Sequence, residues 1–282
     1  MWQQITDFVR GSQGPLADAL AQSVATFALA FPAEFVPLLA AYAAAADSSA
    51  DIKAFYITAF RAVLADKQRS PACDAQVKDT LPAILSSISD PNLEVRRLAL
   101  LALFTVIQGK PELAGGVMAA AGPALFQQTA VDESLVRMVS MGPFKKRVDD
   151  GLEARKVAFQ CVHALVRALP GAADGGAVAD SVIRGAADEY EIRLIVLQIV
   201  NESPAQLLGA YAERLDALAE AIERGLALQL PKKAVRQEIE KHEATLKATG
   251  ALLAALGPVA KSAPVPSAKF SSLLSSHAGA SD

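Results

Sequence analysis

The stretch "DPNLEVRRLALLAL", residues 90–103, decides the fold class. It opens with an acidic residue that can accept hydrogen bonds from the free amides of a helix start, and it continues with basic residues and an apolar helical run. The same order of residue types recurs as "DIKAFYITAF" from Asp51, "DDGLEARKVAFQCV" from Asp149 and "DEYEIRLIVLQIV" from Asp188. Such internal repetition is typical of helical repeat proteins.

The spacing of the basic residue in these stretches predicts the length of one repeat. Lys53 and Arg96 are 43 residues apart, and Arg155 and Arg193 are 38 apart, both near the roughly 40–47 residues of a HEAT unit. We expect each basic residue to reach an acidic residue of a neighbouring repeat. We call this series of pairs between repeats the ladder. The predicted helix caps and ladder residues are Asp90, Arg96, Asp149, Asp150, Arg155, Asp188 and Arg193.

Composition and apolar periodicity predict an all-α protein, a right-handed α–α superhelix of the HEAT/armadillo-like solenoid type. The chain has 282 residues, of which 52% are hydrophobic, and its net charge is −3 with both signs mixed, so neither nucleic acid nor a membrane is an expected partner. The apolar run from Ser23 is interrupted by Pro32, Glu34 and Pro37, which favours two buried helices over a membrane span. One buried face of the first helix is predicted from helical spacing, with Leu16, Leu20, Val24, Phe27 and Phe31 on it.

One interval between repeats is too long. Arg96 and Arg155 are 59 residues apart, about 16 more than one repeat needs. The excess contains "ESLVRMVSMGPFKKRVDDGLEARK", residues 133–156, in which apolar residues alternate loosely on either side of Gly142-Pro143. Glycine tolerates unusual dihedrals and proline fixes its own φ, so this pair predicts a reversal and an inserted β-hairpin at about 133–149.

An isolated two-stranded hairpin is marginal in water, so its apolar side chains need a cover. Either the hairpin packs on its own repeat, or it contacts another protein, for which Met and Phe are suitable. The predicted partner-binding residues are Leu135, Val136, Met138, Val139, Met141, Gly142, Pro143, Phe144, Lys145 and Val148.

Catalysis, metal and cofactor binding find no support. Cys161 and His163 are two residues apart on one helix, so their side chains point in different directions. The other cysteine, Cys73, is distant in sequence, so the two cysteines do not suggest a disulfide framework. We expect a protein that is not an enzyme and has no cofactor. The N-terminus lacks the features of a signal peptide, which predicts an intracellular location.

The hairpin region resembles the C-terminal domain of the cullin-associated, neddylation-dissociated proteins. The resemblance is carried by "MGPFKKRVDDGLEARKVAFQC" (residues 141–161), by "DPNLEVRRLAL" from Asp90, by "GKPEL" from Gly109 and by "VRQEIEKHEATLKATGALLAAL" from Val235. It implies a non-enzymatic regulator of cullin–RING ubiquitin ligases of the SCF type, present in cytoplasm and nucleus. It also implies that these repeats hold the N-terminal region of a cullin and compete with its adaptor, which promotes substrate-receptor exchange or inhibition.

Under this resemblance the turn from Met141 to Lys145 and its flanking strands become the adaptor-blocking hairpin, and Asp149 and Asp150 cap the next helix. Three regions follow: HEAT-like helices at 1–80 with weak likeness, family-like repeats at 81–256, and a Pro-, Ser- and Ala-rich tail at 257–282, mostly disordered.

Two further hypotheses concern a second partner and a rival function. Trp2, Ile5, Phe8 and Val9, followed by the apolar stripe from Leu16, do not form the polar face expected of a terminal repeat. One hypothesis from this pattern is that the chain is the C-terminal half of a split protein. Its second partner is then a separate N-terminal HEAT-repeat chain of the same family. The rival function is a general HEAT-repeat adaptor or transport scaffold, in which the hairpin is a structural plug.

Overall fold

The structure is a computed structural model that describes residues 14–45, 47–141, 144–229 and 235–278. Within these ranges the chain forms fourteen α-helices and one two-stranded antiparallel sheet. In chain order the elements are α1 (Pro15–Ala30), α2 (Pro32–Ala44), α3 (Ala50–Ala65), α4 (Pro71–Leu85), α5 (Leu93–Gly109), α6 (Pro111–Gly115), α7 (Met118–Gln127), β1 (Val136–Met141), β2 (Phe144–Asp149), α8 (Leu152–Ala168), α9 (Gly175–Ala186), α10 (Tyr190–Asn201), α11 (Ala205–Ala212), α12 (Leu215–Leu226), α13 (Arg236–Ser262) and α14 (Ala268–Ala278). Short 3-10 turns cover Ser86–Ser89, Glu133–Leu135 and Pro170–Ala172.

The helices group into two compact units, residues 1–161 and 162–282. In the first unit α1, α3 and α5 pack side by side as one layer, and α2, α4 and α7 form the second layer. In the second unit α9, α12 and α14 form one layer, and α10 and α13 form the other. Each unit therefore has the two-layer packing of helical repeats, with its apolar core between the layers.

Proline and polar side chains explain where several helices begin. Four of them, α1, α2, α4 and α6, start at a proline, whose fixed φ suits the first helical position and whose missing amide is not needed there. The carboxamide of Asn92 caps α5 by accepting from the amides of Glu94 and Val95. Pro37 lies inside α2, so the apolar run from Ser23 is broken only at Phe31, before Pro32.

The predicted buried face of α1 is wrong at its large side chains. Leu16 is 57% exposed, and Phe27 and Phe31 are each 55% exposed. The neighbouring helices instead cover a face made mainly of small residues, namely Ala21, Val24, Ala25 and Ala28. Close packing of helix backbones needs such small residues, and this requirement outweighs the area that the large residues would bury.

The prediction of a mostly disordered tail is also wrong for the described residues. Helix α13 continues through Pro258 to Ser262, and α14 follows from Ala268. The Ser267 hydroxyl accepts from the amide of Phe270 and donates to Asp216 on α12, and Phe270 is fully buried. Composition predicts disorder, but a buried aromatic ring and a cap both help to dock this helix.

Candidate functional site

The insertion between α7 and α8 is an antiparallel β-hairpin. Val136 pairs with Asp149 at its base and Met141 pairs with Phe144 at its tip, with four further pairs between them. The predicted turn residues Gly142 and Pro143 lie outside the described residues. The sequence-based prediction of a hairpin at this position is confirmed.

Each face of the hairpin carries at least one exposed side chain among the described residues. On one face Met138 is 61% exposed, and on the other Arg137 is exposed beside the half-buried Val139 and Val148. The strands pair with each other, and no described helix packs extensively on either strand. The described part of the hairpin therefore projects and does not pack extensively on its own repeat.

The remaining predicted contact residues lie along the same ribbon. Leu135 and Val136 are half-buried at its base. Met141, Phe144 and Lys145 are paired in the ribbon through their backbones, and their side chains lie outside the described part of the structure.

The base of the hairpin is held by Asp149. One carboxylate oxygen accepts from the Gly151 amide at 2.9 Å, and the other accepts from Arg155 Nη2 at 2.8 Å. Asp149 and Arg155 side chains are only 7% and 3% exposed. The structure thus places Asp149 in an ion pair within its own repeat, on the link between β2 and α8.

Asp150 has a different partner from its neighbour. Its carboxylate accepts from Arg137 Nε at 2.6 Å and Nη2 at 3.1 Å, and these hydrogen bonds lower the pKa of the Asp150 carboxyl. Both groups are exposed, so the pair adds little stability. Sequence reasoning missed Arg137, because only the register of the two strands brings it beside Asp150.

The predicted ladder is present in one clear instance between repeats. Lys53 Nζ on α3 donates to Asp90 Oδ2 at 2.8 Å, across 37 residues of sequence. Asp90 does not cap α5 directly: its other oxygen accepts from the Asn92 amide, and Asn92 is the cap. Burial alone would raise the pKa of Asp90, but the hydrogen bonds from Lys53 and Asn92 outweigh burial and lower it.

Two other predicted ladder arginines have neutral partners. Arg96 donates to the Gln128 side chain at 3.4 Å. Arg193 is buried and donates to Thr249 Oγ1 at 2.8 Å and to the backbone oxygen of Asp188 at 2.6 Å. Among the ion pairs that sequence reasoning missed, outside the repeating motif, are Lys110 with Asp74 and Arg214 with Asp180.

Cys161 and His163 have separate neighbours. Cys161 is buried and donates to the Leu100 carbonyl, and burial raises the pKa of its thiol. His163 Nε2 instead lies 3.1 Å from Glu202. In the described ranges no cluster of three or more His, Cys, Asp or Glu side chains is arranged to hold a metal ion. Nor does any helix in those ranges combine the length and apolar character needed to cross a bilayer.

Comparison with known proteins identifies similar sequences. The family model TIP120, described as TATA-binding protein interacting (TIP20), matches residues 113–277. Cullin-associated NEDD8-dissociated protein 2 of Mus musculus is 31% identical over 201 residues, which are 70% of this chain and 16% of that protein. A protein of Emericella nidulans named Cullin-associated NEDD8-dissociated protein 1, C-terminal part, is 32% identical over 225 residues, 78% of this chain and 21% of that protein. The chain thus spans about a sixth to a fifth of the length of these relatives.

Solved structures with a similar backbone are armadillo repeat proteins. A computationally designed armadillo repeat protein for modular peptide recognition matches with a TM-score of 0.52 at 14% identity, over 87% of this chain and 98% of that one. Another designed armadillo repeat protein, in complex with the peptide (KR)4, gives 0.53 at 14% identity, over 87% and 99%. The predicted all-α, HEAT/armadillo-like fold with one hairpin is therefore confirmed; the hand of the superhelix stays a prediction.

Proposed function

Because the chain belongs to the family of cullin-associated NEDD8-dissociated proteins, we propose that it binds the N-terminal region of a cullin within a cullin–RING complex and thereby regulates assembly of the ligase. It acts as a non-enzymatic binding module, and its hairpin overlaps the adaptor site, so that it promotes substrate-receptor exchange or inhibits the ligase. The observation that carries this proposal is the projecting β1–β2 hairpin with the exposed Met138. The block at residues 141–161, which resembles the family, begins in this hairpin.

Met138 lies on a surface that the described residues of the chain do not cover. An exposed methionine on a ribbon beside basic residues adapts easily to a partner surface, because its side chain is unbranched and polarisable. Two-stranded ribbons gain stability when another surface covers one face. A protein partner supplies that surface, whereas a structural plug would bury it on its own repeat.

The test is a binding titration of the chain against an unmodified cullin–RING complex, with and without the adaptor. We expect saturable binding that the adaptor weakens. Replacement of Met138 by Asp should reduce the affinity at least tenfold, about 1.4 kcal/mol, because a charge enters an apolar contact. The matched control is Val265→Asp, which changes another exposed apolar residue, at 76% exposure and far from the hairpin in sequence. Equal affinity of the two variants would contradict the hairpin contact, and no cullin binding by the unchanged chain would favour the rival, a general helical-repeat scaffold.

We further propose that the apolar stripe of α1 contacts a separate N-terminal HEAT-repeat chain of the same family. Leu16, Phe27 and Phe31 lie exposed, and Phe35 stacks against Phe27 with ring centroids 6.1 Å apart. In a solenoid, faces of this kind are covered by the preceding pair of helices. The purified chain should bind a hydrophobic dye, and Phe27→Ser should reduce that binding; a monomer without dye binding contradicts this second contact.

The proposed place of action is the cytoplasm and the nucleus. Both cysteines are free thiols, as is usual for proteins of reducing compartments. Fluorescence microscopy of the tagged chain in cells tests the location.

A further inference from the structure

We propose that Asp149 and Arg155 are positioning residues for the hairpin: their buried ion pair sets the direction in which the β1–β2 ribbon leaves α8. This inference rests on the proposed binding of a cullin by the hairpin. It concerns two residues that do not touch the partner themselves and act through the orientation of the ribbon.

The carboxylate of Asp149 joins three parts of the chain. Asp149 is the last residue of β2, Gly151 lies in the link, and Arg155 lies in the first turn of α8. The carboxylate accepts from the Gly151 amide at 2.9 Å and from Arg155 at 2.8 Å, and both charged side chains are almost completely buried. A buried charge that loses its partner is strongly unfavourable, so the three parts keep one arrangement.

The first strand is tied to the same point. The Asp150 amide donates to the Leu135 carbonyl at 3.1 Å, which closes the base of the ribbon. Leu135 packs against the link so closely that a Cβ at Gly151 would lie 3.1 Å from its Cδ1. Both strands are thus fixed at the start of α8.

Beyond this base, the helices give the described ribbon little support. Met138 and Arg137 are exposed on opposite faces, and no described helix packs extensively on the strands. The direction of the ribbon is therefore set at its base. A ribbon held in its binding orientation loses less conformational freedom on association, and this raises affinity without any new contact.

The test compares two matched variants in the full chain. Asp149→Asn has nearly the same shape, keeps an acceptor for the Gly151 amide and removes the charge opposite Arg155. Asp90→Asn is the control, because Asp90 is only 8% exposed and accepts from a lysine and from a backbone amide, but it lies outside the hairpin. Affinity for the unmodified cullin–RING complex is measured at a temperature at which circular dichroism shows both variants folded.

We expect Asp149→Asn to weaken cullin binding tenfold or more, whereas Asp90→Asn stays within twofold of the unchanged chain. Amide hydrogen exchange in β1 and β2 should rise in the first variant only. If Asp149→Asn does not fold, Gly151→Ala replaces it, since the added methyl crowds Leu135 and leaves both charges in place.

The outcomes separate this inference from the proposed function. Equal loss of affinity in the Asp149 and Asp90 variants reflects general destabilisation and overturns the positioning role. Unchanged affinity in Asp149→Asn, together with weakened binding by Met138→Asp, overturns the positioning role and leaves hairpin binding intact. Lack of cullin binding by the unchanged chain overturns both.

Discussion

Gly225, near the end of α12, lies in a tightly packed part of the C-terminal unit. A Cβ there would lie 2.7 Å from Arg193 Nη1, 3.1 Å from Thr249 Cγ2 and 3.2 Å from the Ala186 carbonyl oxygen. Arg193 is buried and Nη1 donates to Thr249, while the backbone oxygen of Ala186 belongs to α9 and cannot easily move. Replacement of Gly225 by Ala should therefore displace the arginine.

Two effects of this substitution oppose each other. Alanine inside a helix is favoured over glycine by about 0.5–1 kcal/mol. Against that, overpacking costs about 1–3 kcal/mol, and loss of a hydrogen bond by the buried Arg193 costs about 1–3 kcal/mol. Packing outweighs helix propensity, and we expect Gly225→Ala to lower the free energy of unfolding by about 3 kcal/mol.

The assay is guanidinium chloride unfolding followed by circular dichroism. Gly209→Ala is the matched control in the same unit, because Gly209 lies inside α11 and a Cβ there would meet nothing within 4 Å. That variant should gain about 0.5–1 kcal/mol from helix propensity alone. If Gly225→Ala were as stable as the unchanged chain or more stable, the inference that Arg193 is tightly confined would be refuted.

Three further predictions concern other parts of the fold. The pKa of Asp90 is lowered in the folded chain, so pairing of its carboxylate stabilises the fold at pH values above the ordinary carboxyl pKa. This stabilisation is lost as the pH falls through the pKa of the folded state. Lys53→Met should therefore reduce the loss of thermal stability between pH 5 and pH 2. Phe270→Ala should lower the free energy of unfolding by about 3–5 kcal/mol, because it removes the fully buried ring of α14. It should also make α14 sensitive to limited proteolysis, and an unchanged digestion pattern would contradict the docking of this helix. Burial raises the pKa of the Cys161 thiol, so iodoacetamide should label it only after denaturant is added. Mass spectrometry measures the labelling, and a label on the native chain at pH 8 would contradict the buried position.

Several parts of the hairpin were accessible to sequence reasoning, and others were not. The excess length between Arg96 and Arg155 and the Gly142-Pro143 pair predict an inserted hairpin, because spacing and turn chemistry are local properties. The separate roles of Asp149 and Asp150 could not be predicted. The two are adjacent in sequence, but one binds a buried arginine and the other an exposed one across the strands.

The sequence by itself determined the helical class, the repeat length and the position of the insertion, since periodicity, proline breaks and motif spacing are encoded within short stretches of chain. Only the tertiary structure decided which face of α1 is buried, that α14 docks through Phe270, and that the described part of the hairpin projects. The physical reason is that burial depends on the neighbours a side chain meets. A leucine or phenylalanine at the right helical spacing is buried only where another helix comes to cover it, and that depends on packing across repeats.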